Sequence, residues 1–127
     1  MITGDTRPSE QTIELSRDAD VLVHEATFGD EEAERAVETG HSTAREAAGI
    51  ALAARVRRLV LTHFSARYSR DPGDLEREAK ELFANVTIGR DGMEIDVPYE
   101  TEDDREAGAA PAAGADAAQP GASPPVR

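Results

Sequence analysis

The sequence Leu59-Val60-Leu61 is a short apolar run with a β-branched residue at its centre, and Val21-Leu22-Val23 is a second one. Runs of this length and composition are typical of strands that are buried in a parallel sheet. Between them, residues 43–55 repeat alanine at three- and four-residue spacing, which predicts a helix that packs closely against the sheet. The alternation of strands and helices predicts an α/β fold.

Three further segments have the pattern of short helices. Ser9 is a candidate N-cap for a helix that reaches about Asp18, and the charged segment Asp30–Glu38 favours a second helix. A turn at Asp71–Asp74 precedes the third, in which apolar residues recur every three or four positions. That apolar face consists of Leu75, Ala79, Leu82 and Phe83.

Strand-like segments also occur near both ends of this region. Val86–Ile88 and Met93–Val97 flank Arg90-Asp91-Gly92, an arrangement that predicts a β-hairpin. Met1–Thr6 has the character of a strand end that runs into a loop. Because an α/β sheet seldom begins with the last residues of a strand, we expect this chain to be part of a larger domain.

Composition divides the 127 residues into two parts. Residues 1–104 carry the α/β pattern, whereas residues 105–127 are rich in Ala, Gly and Pro. A segment of the second kind cannot bury enough apolar surface to offset the entropy that ordering costs. We therefore predict one folded domain at residues 1–104 and a disordered C-terminal tail at residues 105–127.

The charge balance is strongly acidic. The chain has 26 Asp and Glu against 14 Lys and Arg, a net charge of −12, and Lys80 is its single lysine. This composition is halophile-like, because high salt screens the self-repulsion of a negative chain, but a GC-rich genome would also favour Arg and Ala. The net negative charge by itself opposes nucleic-acid binding.

Several classes of protein are excluded. The absence of Cys excludes disulfide scaffolds, thiolate metal sites and cysteine nucleophiles. No apolar run approaches the roughly 20 residues that span a bilayer, and the N-terminus has no signal-peptide pattern. We therefore predict a cytoplasmic protein without a membrane partner.

Histidines and carboxylates lie at predicted strand and helix ends, and the carboxyl ends of strands form the ligand crevice of open α/β sheets. Asp5, His24, Glu25, His41 and His63 are expected to converge on one rim. Each residue alone is a weak signal, since an aspartate in a Gly-Asp-Thr turn commonly bonds its own backbone, and His24 is more often a core histidine. Imidazole and carboxylate together suit zinc or a similar divalent ion.

Four motifs resemble those of ribonuclease Z, the tRNA 3′-processing endonuclease of the metallo-β-lactamase superfamily. They occur in the order of that family and span about Met1 to Tyr99. The motifs are Gly4-Asp5-Thr6-Arg7-Pro8, His24-Glu25-Ala26-Thr27-Phe28, His41-Ser42-Thr43-Ala44 and Leu61-Thr62-His63-Phe64-Ser65-Ala66-Arg67-Tyr68. The resemblance implies a metallo-β-lactamase αββα sandwich, of which this chain is expected to be the C-terminal half.

The resemblance also implies residue roles. Asp5 resembles the aspartate that bridges two zinc ions, and His63 resembles the last histidine ligand of the second ion. His41 resembles the histidine that protonates the departing 3′ oxygen, and Glu25 resembles the carboxylate that holds it. The remaining ligands of that family, a His-x-His-x-Asp-His motif and one more histidine, lie upstream of the Gly-Asp-Thr loop and are expected from outside this chain.

The implied activity is zinc-dependent removal of the 3′ trailer from precursor tRNA. The complete enzyme would be a homodimer, with the missing N-terminal half supplied in cis or in trans, and the isolated chain is expected to be inactive. Arg7 and Arg67 are candidates to bind substrate phosphate, whereas His24 receives no catalytic role. Two alternatives stay open: another hydrolase of this fold, such as an arylsulfatase or a phosphodiesterase, and a non-catalytic half-domain that acts as a dimerisation module.

Overall fold

A parallel sheet of three strands organises residues 1–99, the part of the chain that this computed structural model describes. The strands are β1 (Val21–Glu25), β2 (Arg58–Thr62) and β3 (Val86–Ile88), in the spatial order β1-β2-β3. Both predicted apolar runs are therefore confirmed as parallel strands. The predicted tail at residues 105–127 lies outside the described residues.

Four helices accompany the sheet. They are α1 (Glu10–Ser16), α2 (Ala33–Thr39), α3 (Ala44–Ala54) and α4 (Gly73–Lys80), and a 3₁₀ turn at Asp30–Glu32 leads into α2. Each lies where a helical segment was predicted. No helix among residues 1–99 is long and apolar enough to cross a membrane.

Helix α3 packs against β1 and β2 through its alanines. Its buried face consists of Ala44, Ala47, Ala48, Ala51 and Ala54, which are fully buried, together with Ile50. Such small side chains let the helix backbone approach Leu22, Leu59 and Leu61 of the sheet, which belong to the same core cluster. Close packing of α3 on the sheet, predicted from the alanine spacing, is confirmed.

The predicted hairpin is wrong. Val86–Ile88 forms β3, but it pairs in parallel with β2, and Met93–Val97 is not a strand. A turn does form, since Gly92 has a φ of +79° and Met93 N–H donates to the Arg90 carbonyl. Beyond the turn, Met93 and Val97 are exposed. Alternation of apolar residues makes a strand only where one face finds a core to cover it, and this segment finds none among the described residues.

Only part of the predicted apolar face lies within helix α4. Leu75 and Ala79 are buried within the helix, as predicted. The helix ends at Lys80, so Leu82 and Phe83 reach the core from the turn that follows, where both N–H groups donate to the Ala79 carbonyl.

The first residues run alongside β1. Ile2 pairs in parallel with Val23, through hydrogen bonds from Thr3 N–H to the Val23 carbonyl and from Val23 N–H to the Met1 carbonyl. The predicted strand end is therefore present as a short bridge. It delivers the Gly-Asp-Thr loop to the carboxyl end of β1.

Two glycines give opposite predictions for stability. A Cβ at Gly89 would lie 2.8 Å from the Leu61 carbonyl oxygen and 2.9 Å from Thr62 Cγ2. Among residues 1–99, a Cβ at Gly49 in α3 would meet no atom within 4 Å apart from its chain neighbours and the backbone of its own helix. We expect Gly89→Ala to lower the free energy of unfolding by about 1–3 kcal/mol through overpacking. We expect Gly49→Ala to raise it by about 0.5–1 kcal/mol through helix propensity. Urea titrations measure both, and an equal effect of the two variants would contradict the packing of β3 on β2.

Candidate active site

Four side chains from four separate segments meet at the carboxyl end of the sheet. Asp5 lies in the first loop, Glu25 ends β1, His41 follows α2, and His63 follows β2. One potential ligand atom from each lies within 4.8 Å of the others. The structure therefore brings together all four residues that the sequence predicted as ligands or proton-transfer groups.

Backbone conformation sets the direction in which the side chains of His41 and His63 point. Gly40 ends α2 in the left-handed conformation, with a φ of +76°, so that His41 turns back and its N–H donates to the Ala36 carbonyl. His63 itself has a φ of +62°. A left-handed residue other than glycine costs of order 1–3 kcal/mol, and such strain is concentrated at functional sites.

The Glu25 carboxylate is buried and accepts five hydrogen bonds. Its Oε1 accepts from Thr6 N–H at 2.8 Å and from His41 Nδ1 at 2.7 Å. Its Oε2 accepts from Thr27 Oγ1 at 2.7 Å, from Ser42 N–H at 3.1 Å and from Thr27 N–H at 3.3 Å. A carboxylate surrounded by this many donors is held in its ionised form.

The pKa of Glu25 follows from the balance of two effects. Burial alone would raise it, but the hydrogen bonds from Ser42, Thr27, Thr6 and His41 outweigh burial and lower the pKa below its ordinary value of 4.5. The carboxylate is therefore available as a fixed negative charge throughout the neutral range.

His41 is held on one edge by this carboxylate. Because an ionised carboxylate can only accept, the proton in the 2.7 Å contact lies on His41 Nδ1, and Nε2 is left for other chemistry. The ring stacks on His63 with centroids 5.3 Å apart and meets Phe28 edge-on. Its orientation and tautomer are thus set by its surroundings.

Asp5 and His63 form the open side of the cluster. Asp5 Oδ1 lies 3.4 Å from His63 Nε2, and their side chains are 64% and 51% exposed. Zinc bonds oxygen and nitrogen at about 2.0–2.1 Å, so two ligands of one tetrahedral ion lie about 3.3 Å apart. The donor types and their spacing fit a zinc ion that both residues hold.

Glu25 and His41 are hydrogen-bonded to each other, although their atoms also lie close to Asp5 and His63. Both carboxylate oxygens of Glu25 already accept hydrogen bonds, and His41 Nδ1 donates to one of them. Among residues 1–99, the cluster therefore divides into two candidate ligands and an imidazole–carboxylate pair. The roles predicted for these four residues stay predictions.

The residues after His41 connect the site to α3. Ser42 Oγ donates to the Thr6 carbonyl at 2.6 Å, which ties this segment to the first loop. Thr43 caps α3: its hydroxyl accepts from Glu46 N–H, and the Glu46 carboxylate accepts from Thr43 N–H in a capping box. The hydroxyl groups of Ser42 and Thr43 therefore both make hydrogen bonds that hold this segment in place.

Arg7, a predicted phosphate-binding residue, lies at the same junction. Its guanidinium makes two hydrogen bonds to Glu46, at 2.9 and 2.8 Å, and one to the His41 carbonyl at 2.7 Å. Burial would raise the pKa of Glu46, but Arg7 and the Thr43 backbone lower it. The structure thus shows Arg7 joining the first loop to the His41 segment, and its phosphate role stays a prediction.

Arg67, the other predicted phosphate-binding residue, faces the 3₁₀ turn. It lies 3.1 Å from Glu31 and 3.6 Å from Glu32. The Tyr68 hydroxyl donates to the same two carboxylates, and burial together with these anions raises the pKa of Tyr68 to about 12. Arg67 is exposed, and its phosphate role also stays a prediction.

His24 lies inside β1 rather than after it. The ring is fully buried, Nδ1 contacts the Glu25 carbonyl at 2.8 Å, and Nε2 has no hydrogen-bond partner within residues 1–99. Burial lowers the pKa of His24, so the ring is neutral. It is a core histidine, as its position after an apolar run indicated.

The sequence analysis gave no role to Thr27, which the structure places at the centre of the cluster. Its Oγ1 lies 2.7 Å from Glu25 Oε2, 3.0 Å from His63 Nδ1 and 3.3 Å from His41 Nδ1. The available signal was a hydroxyl two residues after a strand-end carboxylate.

Similarity to known proteins covers most of the described residues. The model of the beta-lactamase superfamily domain matches residues 2–64. Ribonuclease Z of Gemmatimonas aurantiaca is 64% identical over 102 residues, and ribonuclease Z of Haloferax volcanii is 55% identical over 102 residues. The chain is similar to ribonuclease Z over most of its length. In both relatives the match covers 80% of this chain but 32% of the relative, so the chain spans about a third of their length. The match lies in the C-terminal part of these relatives.

Solved structures agree on the fold. The short form of human tRNase Z aligns with a TM-score of 0.59 and 38% identity, over 77% of this chain and 33% of that one. The metallo-beta-lactamase fold protein YhfI of Bacillus subtilis aligns with a TM-score of 0.65 and 31% identity, over 72% and 37%. The sheet and helices of residues 1–99 therefore form part of a metallo-β-lactamase fold, as the resemblance implied.

The lowered pKa of Glu25 makes its stabilising effect depend on pH. Because the folded pKa lies below the ordinary value of 4.5, the contribution is fully present above that pH and is lost as pH falls through the folded pKa. We expect Glu25→Gln to lower the free energy of unfolding by about 2 kcal/mol at neutral pH. The deficit should shrink in acid. Urea titrations of both chains at neutral and acid pH measure it, and a deficit that does not change with pH would contradict an ionised Glu25.

Proposed function

We propose that this chain forms the C-terminal part of a zinc-dependent endoribonuclease that removes the 3′ trailer from precursor tRNA. The observation that carries the proposal is the 2.7 Å hydrogen bond between His41 and the buried Glu25, directly beside the open pair of Asp5 and His63. A held imidazole next to candidate metal ligands is an arrangement that can promote phosphodiester hydrolysis, since it combines a general acid with metal ions. The names of the similar proteins, ribonuclease Z and tRNase Z, support the substrate class.

The proposed role of His41 is to protonate the leaving group. In hydrolysis, water attacks phosphorus, the bond from phosphorus to the 3′ oxygen breaks, and that oxygen takes up a proton. Glu25 fixes the Nδ1 proton of His41, which leaves Nε2 as the nitrogen that delivers a proton to the 3′ oxygen. The negative carboxylate also stabilises the doubly protonated ring from which that proton comes.

The proposed role of Asp5 and His63 is to hold zinc. When bound, a zinc pair supplies a more acidic water and stabilises the charge of the in-line transition state. A catalytic zinc generally has about three protein ligands, and this proposal assigns two, Asp5 and His63, from residues 1–99. The remaining ligands are proposed to come from the N-terminal part of the enzyme, in cis or in trans.

A homodimer and a cytoplasmic location belong to the same proposal. They follow from the resemblance to ribonuclease Z. The acidic charge of −12 fits a division of labour in which another part of the enzyme binds the RNA.

A chimera tests the proposed activity. Residues 1–99 of this chain would replace the corresponding segment of the Gemmatimonas aurantiaca ribonuclease Z, to which the chain is 64% identical. We expect the zinc-loaded chimera to release the 3′ trailer from a labelled precursor tRNA, and the 127-residue chain alone to release none. His63→Ala in the chimera controls for contaminating nuclease. Trailer release by the isolated chain that depends on His63 would refute the need for outside ligands, and a folded, inactive chimera would refute the activity.

The imidazole–carboxylate pair should act as one unit. In the chimera, we expect His41→Ala and Glu25→Gln each to lower the single-turnover cleavage rate by about 10²–10⁴-fold, because a misoriented imidazole cannot deliver its proton. The double variant should lose no more than the worse single variant. Multiplicative losses in the double variant would show that the two side chains act independently.

A further inference from the structure

We infer that Thr27 is a positioning residue that carries the orienting effect of Glu25 to His63, so that one buried carboxylate fixes the tautomer of both site histidines. The inference deepens the proposed metal role of His63 and rests on it. It starts from the three contacts of the Thr27 hydroxyl, to Glu25 Oε2 at 2.7 Å, His63 Nδ1 at 3.0 Å and His41 Nδ1 at 3.3 Å.

The direction of the hydrogen bonds follows from donor and acceptor counting. A hydroxyl has one proton and two lone pairs, and an ionised carboxylate can only accept. The short 2.7 Å contact therefore uses the Thr27 proton, which points at Glu25 Oε2. What remains on Thr27 toward His63 is a lone pair, so the proton in the 3.0 Å contact lies on His63 Nδ1.

This assignment decides which nitrogen of His63 can bind a metal. With its proton on Nδ1, the neutral ring presents the lone pair of Nε2, the atom that lies 3.4 Å from Asp5 Oδ1. Metal-ligating histidines commonly donate their other ring N–H to such an orienting partner. Without the Thr27 hydroxyl, Asp5 is the acceptor left to this ring among the cluster residues, and a proton on Nε2 would compete with metal binding.

His41 and His63 differ in how they contact the Glu25 carboxylate. His41 Nδ1 reaches Glu25 directly at 2.7 Å, whereas His63 approaches the same carboxylate only through Thr27. The two rings stack with an interplanar angle of 21°, and both present Nδ1 to the Glu25–Thr27 side. The proposed acid and the proposed ligand are thus oriented by a single buried charge.

The tautomer of His63 can be measured in the 127-residue chain without metal or RNA. Side-chain ¹⁵N and ¹³C resonances distinguish the two tautomers at about pH 8, where an ordinary imidazole is neutral. We expect the Nδ1–H form in the wild type and in Thr27→Ser, and the Nε2–H form in Thr27→Val, which keeps the shape but lacks the hydroxyl. Thr87→Val, a half-buried position in β3, is the matched control and should leave His63 unchanged.

Zinc affinity gives a second readout on the same samples. Titration with Zn²⁺, followed on the His63 resonances, should show binding that is at least about tenfold weaker in Thr27→Val than in the wild type or Thr27→Ser. An Nε2–H tautomer in the wild type would overturn the inference even if Thr27→Val failed to fold. Unchanged tautomer and affinity in a folded Thr27→Val, or equal losses in Thr27→Ser, would overturn it as well. Neither readout involves RNA, so failure of the chimera to cleave precursor tRNA would overturn the proposed function and leave this result standing.

Discussion

The buried carboxylate of Glu25 is the constraint on which this end of the molecule depends. A charge at this depth must be matched by donors, and Glu25 takes them from three separate segments: Thr6 in the first loop, Thr27 beyond β1, and His41 with Ser42 after α2. The cost of leaving the carboxylate unsatisfied therefore draws these segments together. A site built this way is rigid, because moving any one segment exposes the charge.

A second set of contacts keeps the segments aligned. Arg7 joins the first loop to Glu46 and to the His41 carbonyl, while Glu46 also completes the capping box at the start of α3. Helix α3 lies close to the sheet because its buried face is mostly alanine. These contacts connect the loops through α3 to the core. The close packing of the interior therefore also holds the surface site in place.

The site has a sealed side and an open side. Glu25 and Thr27 are buried, whereas Asp5 and His63 are more than half exposed. The sealed side fixes protons through hydrogen bonds in a region of low dielectric, where such bonds are strong. The open side presents an oxygen and a nitrogen to whatever binds there. This separation lets orientation be set before a metal or substrate arrives.

The sequence by itself determined the elements and the residue types of the site. Apolar runs gave β1 and β2, alanine spacing gave α3, and four motifs gave Asp5, Glu25, His41 and His63, because each of these signals is local. Tertiary structure decided the rest. Met93–Val97 has strand alternation but finds no core to cover it in the described part of the chain, and β3 pairs with β2 instead. Thr27 gains its position only when β1, the α2 end and the β2 end converge. Pairing partners and hydrogen-bond direction depend on residues far apart in the chain, and no local pattern encodes them.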